Sequence, residues 1–356
     1  MALFALHKAI SMEIGISTFG EVHPERVAGG ARESYARMQE LLEEAKLADA
    51  TGLDVFALGE HHRPDFIISS PEVVLGAIAA VTQRIRLSSS VTVLSSADPV
   101  TVFQQFAELD LLSGGRAEIL AGRGSFTESF PLFGYSLNDY NELFVEKLDL
   151  LMHINQHEIV NWQGRFRPAI RNLGVYPRPL QPSLPIWLAV GGTPSSAVRA
   201  GKLNLPMTLA ILGGRPSQYV PFIQLYRKSA LEAGHDPAKL QLGINSQFHL
   251  AEDSDQAADD FYPSYEKLMN RVGKERGWSP MTREQFEFMR LPDGPLFVGN
   301  VKEITDKIIY QHGLFGHTRF LAQLVKGSIA QEKVMKSIAL LGAKVAPAVK
   351  EALSSR

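Results

Sequence analysis

The amino-acid sequence predicts an α/β fold, and within that class a (β/α)8 TIM barrel with insertions at its carboxyl-terminal face. The first observation is that eight short apolar runs with strand character alternate with helical patterns, which is typical of parallel βαβ units. The second is the length of 356 residues, because α/β barrels of about 250 residues or more form a single domain. We therefore expect one barrel domain over residues 12–356.

The most regular βαβ unit begins with residues 85–94, a β-branched and serine-rich run expected of a strand buried on both faces. Pro99 suits the first position of the following helix, residues 100–112, and two glycines end that helix. Residues 118–121 form the next strand, which runs into a glycine-arginine turn. In α/β folds the loops at the carboxyl ends of strands bind ligands, so this turn is a candidate site.

The remaining elements follow from the same patterns. The other predicted strands are residues 12–18, 55–58, 186–190, 205–212, 240–250 and 318–325. The other predicted helices are residues 34–48 with Ser34 as N-cap, 71–82, 141–156, 196–202, 216–233, 254–271, 303–312 and 331–343.

Three segments do not fit this alternation. Residues 157–185 are aromatic and proline-rich, which predicts an ordered insertion at the mouth or flank of the barrel. Residues 273–300 are long for a plain connection, so we expect an insertion that acts as a mobile lid. Residues 1–11 precede the first predicted strand, and we expect them to be an extension outside the fold.

Composition excludes several classes of protein. The formal net charge is -2 and the chain has no basic runs, which argues against nucleic acid as a partner. No apolar stretch approaches the ~20 residues that span a membrane, and we expect a soluble, cytoplasmic protein. The absence of cysteine excludes disulfides, thiolate metal sites and a thiol nucleophile.

The loop after the second predicted strand carries Glu60, His61, His62 and Arg63. Adjacent side chains on a strand point to opposite faces, so His61 and His62 cannot both face one pocket. That geometry disfavours a metal-dependent hydrolase that would use Glu60, His61 and Asp65, although the sequence leaves this alternative open. A histidine that only hydrogen-bonds a neighbouring loop is the simplest structural explanation.

Two glycine-rich loops follow the fourth and fifth predicted strands. They carry Gly122, Arg123, Gly124 and Ser125 in the first, and Gly191, Gly192, Thr193 and Ser195 in the second. Open backbone N–H groups, hydroxyl donors and a guanidinium are suited to a phosphate at the start of a helix. Glycine-rich turns are common in such folds, but two of them on neighbouring strands predict a phosphate site.

Several longer stretches resemble a known family. They are GEHHR at Gly59–Arg63, DPVTVFQQFAELDLLSGGRAEILAGRGS at Asp98–Ser125, PSLPIWLAVGGTPSS at Pro182–Ser196 and SIALLGAKVAP at Ser337–Pro347. On these stretches the chain, from Met12 to about Ala352, resembles the bacterial luciferase-like, flavin-dependent monooxygenases. The resemblance implies a (β/α)8 barrel that uses reduced FMN and O2, via a flavin C4a-hydroperoxide, to oxidise a small organic substrate. It also implies a separate flavin reductase and a homodimer.

Residue roles carried over from that family remain implications of the resemblance. Arg123 and the Gly191–Ser195 loop match the flavin-phosphate binders, and His61 matches the histidine beside the flavin. Ser90 and Val91 match the end of the third strand, where the luciferases hold a non-proline cis peptide beneath the ring. The reactive cysteine of the luciferases falls at Gly122, so light emission is not expected.

Two alternatives share the fold. One branch of the family binds a deazaflavin, which would make the chain a dehydrogenase that transfers a hydride and needs no O2. The other alternative is a non-catalytic flavin-binding subunit, against which the presence of His61 and Arg123 argues.

Overall fold

The structure is a computed structural model, described here for residues 12–22, 30–124 and 126–355. Its strands are β1 (Glu13–Thr18), β2 (Val55–Leu58), β3 (Arg86–Ser89), β4 (Thr92–Val93), β5 (Ala117–Gly122), β6 (Ile159–Trp162), β7 (Ile170–Gly174), β8 (Ile186–Val190), β9 (Met207–Ala210), β10 (Leu242–Leu250), β11 (Phe297–Gly299) and β12 (Arg319–Leu324).

The helices of the same residues alternate with these strands. They are α1 (Ala31–Ala50), α2 (Pro71–Val81), α3 (Pro99–Ser113), α4 (Ser129–Leu132), α5 (Tyr140–Gln156), α6 (Pro194–Lys202), α7 (Val220–Glu232), α8 (Ser254–Arg276), α9 (Arg283–Arg290), α10 (Val301–Phe315), α11 (Gln331–Leu340) and α12 (Ala346–Ser354). A π-helical turn, Leu341–Val345, joins the last two.

Parallel pairing closes the sheet into a barrel in the order β1, β2, β3, β5, β8, β9, β10, β12. The last strand pairs with the first, with Glu13 beside Arg319 and Ser17 beside Gln323. β4 follows β3 in the chain and, like β3, pairs with β5, so the two together form the third strand of the ring. β11 pairs with β10 and is not one of the eight ring strands. The predicted (β/α)8 barrel is confirmed, and all its strand carboxyl ends meet at one rim.

The floor of the barrel holds a buried ionic cluster. Arg319 of β12 places its Nη1 2.5 Å from Oε1 of Glu118 on β5, and its Nη2 2.7 Å from Oε2 of Glu13. The Nε of Arg86 lies 3.1 Å from Glu118, and the Arg319 guanidinium lies over the Trp187 ring. Burial alone would raise the pKa of Glu118, but Arg319 and Arg86 hold that pKa below its usual range.

Several element predictions were wrong in detail. Helix α1 begins at Ala31 after Gly30, so Ser34 is not the N-cap, and its hydroxyl donates to the Gly30 carbonyl instead. The predicted strand 85–94 is divided into β3 and β4 by a cis peptide between Ser90 and Val91, as the resemblance implied.

The two predicted insertions contain regular structure. Residues 157–185 include the β6–β7 hairpin, and Glu146 of α5 accepts the backbone N–H groups of Arg165 and Phe166 from the turn of that hairpin. Residues 273–300 hold the end of α8, helix α9 and β11, and Phe286 of α9 is fully buried. The role of the latter segment as a lid stays a prediction, and the predicted extension at residues 1–11 lies outside the described residues.

No helix within the described residues combines the length and the apolar character that crossing a lipid bilayer would require.

We expect Glu118→Ala to lower the free energy of unfolding by about 3–5 kcal/mol, because it leaves Arg319 and Arg86 without their buried counter-charge. The measurement is denaturant unfolding followed by circular dichroism. Glu232→Ala is the matched control, since Glu232 forms only an exposed ion pair with Lys228 and its loss should leave the midpoint nearly unchanged. Equal midpoints for both variants would contradict a stabilising role for the floor cluster.

Candidate active site

Arg123 connects two loops at the carboxyl-terminal rim. Its Nη1 donates to Oδ1 of Asn141 over 2.7 Å, while its Nη2 donates to the hydroxyls of Thr193 and Ser196, each over 3.2 Å. The guanidinium also lies over the ring of Tyr140. These contacts hold the loop after β5 against the amino terminus of α6, and they bring the two predicted phosphate-binding loops together.

The amino terminus of α6 is open to a ligand. Thr193 precedes the helix without capping it through its side chain, and Pro194 takes the first helical position. A side chain added at Gly191 would meet no atom within 4 Å, and Gly192 adopts a left-handed φ of 98°. Free N–H groups at a helix start favour an anion, so Gly191, Gly192 and Thr193 have the geometry of a phosphate cradle.

Other predicted members of this site lie nearby. Ser195 is exposed in the first turn of α6, and Gly124 accepts a 2.6 Å hydrogen bond from the Tyr140 hydroxyl. Ser125 lies outside the described residues. A second cation, Arg199 of the same helix, lies over the Phe144 ring, and burial together with repulsion from Arg123 lowers the pKa of Arg199.

His61 lies in an aromatic corner of the rim. Its ring centroid is 4.9 Å from that of Phe19, 4.4 Å from that of Phe66 and 4.8 Å from that of Phe126. Its Nδ1 is 3.2 Å from Oε1 of Glu128, the residue before α4. Burial lowers the pKa of His61, and the hydrogen bond to Glu128 only partly opposes this, so the ring is mainly neutral at pH 7.

His62 faces elsewhere. Its Nε2 is 2.8 Å from Oε1 of Glu60, whose other oxygen accepts the backbone N–H of Val93 over 2.9 Å. The hydrogen bond to Glu60 raises the pKa of His62, opposite to the shift at its neighbour. The two histidines are thus directed to separate carboxylates, and the described residues contain no group of three or more His, Asp or Glu side chains arranged to hold a metal ion.

Gly122 lies against Val91 where β5 reaches the rim. A Cβ built at Gly122 would be 2.7 Å from the Cγ2 of Val91, closer than any side chain tolerates. Glycine is required here because the chain after the Ser90–Val91 peptide approaches β5 directly.

A small cavity of about 80 Å³ adjoins the aromatic corner between the β1, β2 and β12 loops and α8. Asp65 in its wall forms an ion pair with Arg271, with 2.6 Å between Oδ2 and Nη1. Glu21, also in the wall, is desolvated by burial, which raises its pKa to about 7. The mouth therefore combines an aromatic side with a polar, charge-balanced side.

The sequence reasoning missed several residues of this rim. Glu128, Asn141 and Ser196 each bond a predicted residue. Glu128 and Asn141 carry no motif of their own, and Ser196 ends one of the family-like stretches without having been assigned a role. Glu128 could have been considered, since it follows Gly122 in the same loop. The three phenylalanines around His61 gave no signal, because an isolated aromatic residue after a strand is most often part of the core.

Comparison with known proteins identifies the family. A model described as luciferase-like monooxygenase matches residues 12–326, which is most of the chain. The chain belongs to the luciferase-like monooxygenase family. Its members' (β/α)8 barrel is the fold described above.

A curated relative and two solved structures extend this result. N-acetyl-S-alkylcysteine monooxygenase of Bacillus subtilis is 28% identical over 290 residues, which cover 79% of this chain and 80% of the relative. The oxygenating constituent of 3,6-diketocamphane monooxygenase from Pseudomonas putida, in complex with FMN, superposes with a TM-score of 0.77 at 19% identity, covering 95% and 99% of the two chains. An F420-dependent secondary alcohol dehydrogenase superposes with a TM-score of 0.73 at 18% sequence identity, again covering 95% of this chain and 99% of the other.

The family implies a flavin-type cofactor, and the residues at this rim suit the phosphate of such a group. Arg123 supplies a positive charge, Thr193 and Ser196 supply hydroxyl donors, and the space beside Gly191 is open. The donors belong to the loop after β5 and to the start of α6, which Arg123 already joins, so little rearrangement is needed to gather them around one anion.

We expect Gly122→Ala to reduce the free energy of unfolding by roughly 1–3 kcal/mol, because its methyl group would overlap Val91. Gly191→Ala is the control, since its new methyl group meets open space, and it should be nearly neutral. In the double variant Gly122→Ala with Val91→Ala the two changes should be less than additive, because the second removes the clash. Thermal unfolding measures the wild type, the control and these variants together with the single variant Val91→Ala that the comparison needs, and additive losses would argue against the contact.

Proposed function

We propose that the chain is a cytoplasmic FMN-dependent monooxygenase that uses reduced FMN and O2 to oxidise a small organic substrate. The observation that supports it most is the position of Arg123, whose guanidinium joins the two glycine-rich loops at the start of α6. That cradle and His61 occupy the same rim of a barrel whose family members are monooxygenases. Bound reduced flavin would supply the electrons and react with O2.

The protein's own residues would bind the cofactor, orient it and keep water away from it. The cradle would hold the phosphate of FMN through charge-assisted hydrogen bonds, and so orient the rest of the cofactor toward the mouth. Neutral His61 has a nitrogen able to accept or return a proton near pH 7. The rings of Phe19, Phe66 and Phe126 form an apolar surface that disfavours water beside it.

The alternative cofactor is a deazaflavin, and binding discriminates the two. Titration with oxidised and reduced FMN and with coenzyme F420, followed by rapid mixing with O2, tests the proposal directly. Tight binding of reduced FMN with O2 consumption supports a monooxygenase. Selective binding of F420 with no O2 consumption would contradict the monooxygenase proposal and indicate a dehydrogenase instead.

Two partners complete the proposal. A separate flavin reductase would supply reduced FMN, so that NADH alone gives no turnover until a reductase is added. The chain would also form a homodimer, as the resemblance implies, and light scattering at micromolar concentration should give twice the monomer mass.

We expect Arg123→Ala to weaken FMN binding roughly tenfold or more while riboflavin binding changes little, because riboflavin has no phosphate for the guanidinium to pair with. A charged hydrogen bond of this kind contributes about 1.5–3 kcal/mol. Fluorescence titration measures both ligands. Arg165→Ala, which removes an exposed arginine on the β6–β7 turn, is the control, and equal losses for FMN and riboflavin would place Arg123 away from the phosphate.

We expect His61→Ala to keep thermal stability and FMN affinity but to lose coupled substrate oxidation by ~10²–10⁴-fold, the usual contribution of general acid–base help. Before a substrate is known, stopped-flow reoxidation of reduced FMN and the yield of peroxide serve as the measurement. His62→Ala should leave the reoxidation rate and the peroxide yield near those of the wild type, because His62 is directed to Glu60. If His62→Ala gives the defect and His61→Ala none, the assigned proton-transfer residue is wrong.

A further inference from the structure

Glu128 lies where the loop after β5 meets the loop after β2. One carboxylate oxygen, Oε1, is 3.2 Å from Nδ1 of His61 and 3.4 Å from the backbone nitrogen of His62. The carboxylate therefore contacts both histidines of the second loop, but it touches a ring nitrogen of His61 only. Neither the family resemblance nor the sequence pattern assigned a role to this residue.

The charge of Glu128 decides which nitrogen of His61 carries the proton. Burial would raise the pKa of Glu128, but its own backbone N–H, His61 and the N–H of His62 lower it overall, so the group is a carboxylate at neutral pH. A carboxylate can only accept a hydrogen bond, and Nδ1 must then donate one. In neutral His61 the unprotonated nitrogen is consequently Nε2, which has no hydrogen-bond partner among the described residues.

The aromatic corner limits the other way in which the ring could be placed. Phe19, Phe66 and Phe126 pack around it with centroid distances under 5 Å, and the residue is only 8% exposed. Turning the ring over would put a carbon in place of Nδ1 against the Glu128 carboxylate and forfeit a charge-assisted hydrogen bond. The packing and the carboxylate thus select the same orientation.

We propose that Glu128 is a positioning residue that fixes His61 as the Nδ1–H tautomer and thereby leaves Nε2 as a proton acceptor at the barrel mouth. The tautomer itself is a property of the chain without cofactor, whereas its consequence for catalysis rests on the proposed function. The two parts are separable because they have different measurements.

The tautomer is measured by ¹⁵N NMR of the full chain without flavin, at a pH above 8 so that the imidazoles are neutral. Loss of a signal pair in His61→Gln assigns His61. We expect the wild type to show the Nδ1–H pattern at His61 and the opposite, Nε2–H pattern at His62, whose Nε2 bonds Glu60. The neighbouring histidine is thus an internal reference.

Two substitutions of Glu128 and one control then test the cause. Glu128→Ala should move His61 toward the Nε2–H tautomer. An Nδ1–H would then be buried without an acceptor, whereas Nε2 is not among the buried polar atoms of the described residues and its N–H can bond water at the mouth. Glu128→Gln, which keeps the size of the side chain, should give a mixture. The control Glu60→Gln should change the tautomer of His62 and leave that of His61 as it is.

The kinetic measurements are the pH dependence of kcat and, separately, the affinity for flavin. The groups that act on His61 are Glu128 and Asp65, which favour its charged form, and Arg63, which opposes it, while His62 is paired with Glu60. A base must be neutral, so the rate falls as pH drops through its pKa. Removal of the carboxylate in Glu128→Gln lowers that pKa, so the acid limb should shift to lower pH. kcat should fall in proportion to the share of His61 that leaves the Nδ1–H tautomer, more in Glu128→Ala than in Glu128→Gln, while flavin affinity stays constant.

An Nε2–H tautomer at His61 in the wild type, or one that does not respond to Glu128→Ala and Glu128→Gln, would overturn the proposal. An unchanged kcat and pH profile in Glu128→Gln with a shifted tautomer would overturn its catalytic part. The Nδ1–H tautomer in a chain that neither binds flavin nor consumes O2 would support the positioning of His61 and refute the proposed function instead.

Discussion

The ion pair between Glu118 and Arg319 crosses the interior of the barrel, from the fourth strand of the ring to the eighth. Buried charges must be paired, so this contact fixes which face of β5 and β12 turns inward. Because side chains alternate along a strand, β5 then also turns Gly122 inward at the rim, with Arg123 next in the loop. If the pairing register of β5 or β12 shifted by one residue, the floor charges would face the outer helices and the rim residues would face away from the barrel interior.

The rim divides into regions of different polarity. Arg123 and Arg199 make one side cationic, while His61 and three phenylalanine rings make another nearly apolar. An elongated ligand with a charged end and a flat aromatic end matches such a gradient, since the charge finds hydrogen bonds and the aromatic part avoids water. The floor cluster and the rim thus divide the barrel interior into a stabilising end and the end where the proposed ligand would bind.

Much of this arrangement could be predicted from sequence, and the exceptions have physical causes. The strands 55–58 and 186–190 were predicted to the residue, because short buried strands between turns leave a continuous apolar run. Helix α9 was missed although Thr282 and Gln285 form a capping box, since eight residues leave too little periodicity to recognise. The loops around Arg123 and Gly191 follow from their glycines, but Asn141 and Ser196 lie 18 and 73 residues away from Arg123, and only folding shows that they meet it.

The adjacent histidines show how one short motif serves two purposes. Glu60 bonds His62 with one oxygen and the Val93 backbone with the other, so this half of the motif holds β4 beside the loop after β2. His61 is directed to Glu128 and the aromatic rings, and burial lowers its pKa whereas the pKa of His62 is raised. Identical side chains thus acquire pKa shifts of opposite direction, one from burial and the other from a carboxylate partner. The hydrogen bonds of Glu60 to His62 and Val93 fix the backbone from which His61 projects. A fixed backbone lets the imidazole of His61 keep one orientation at the mouth.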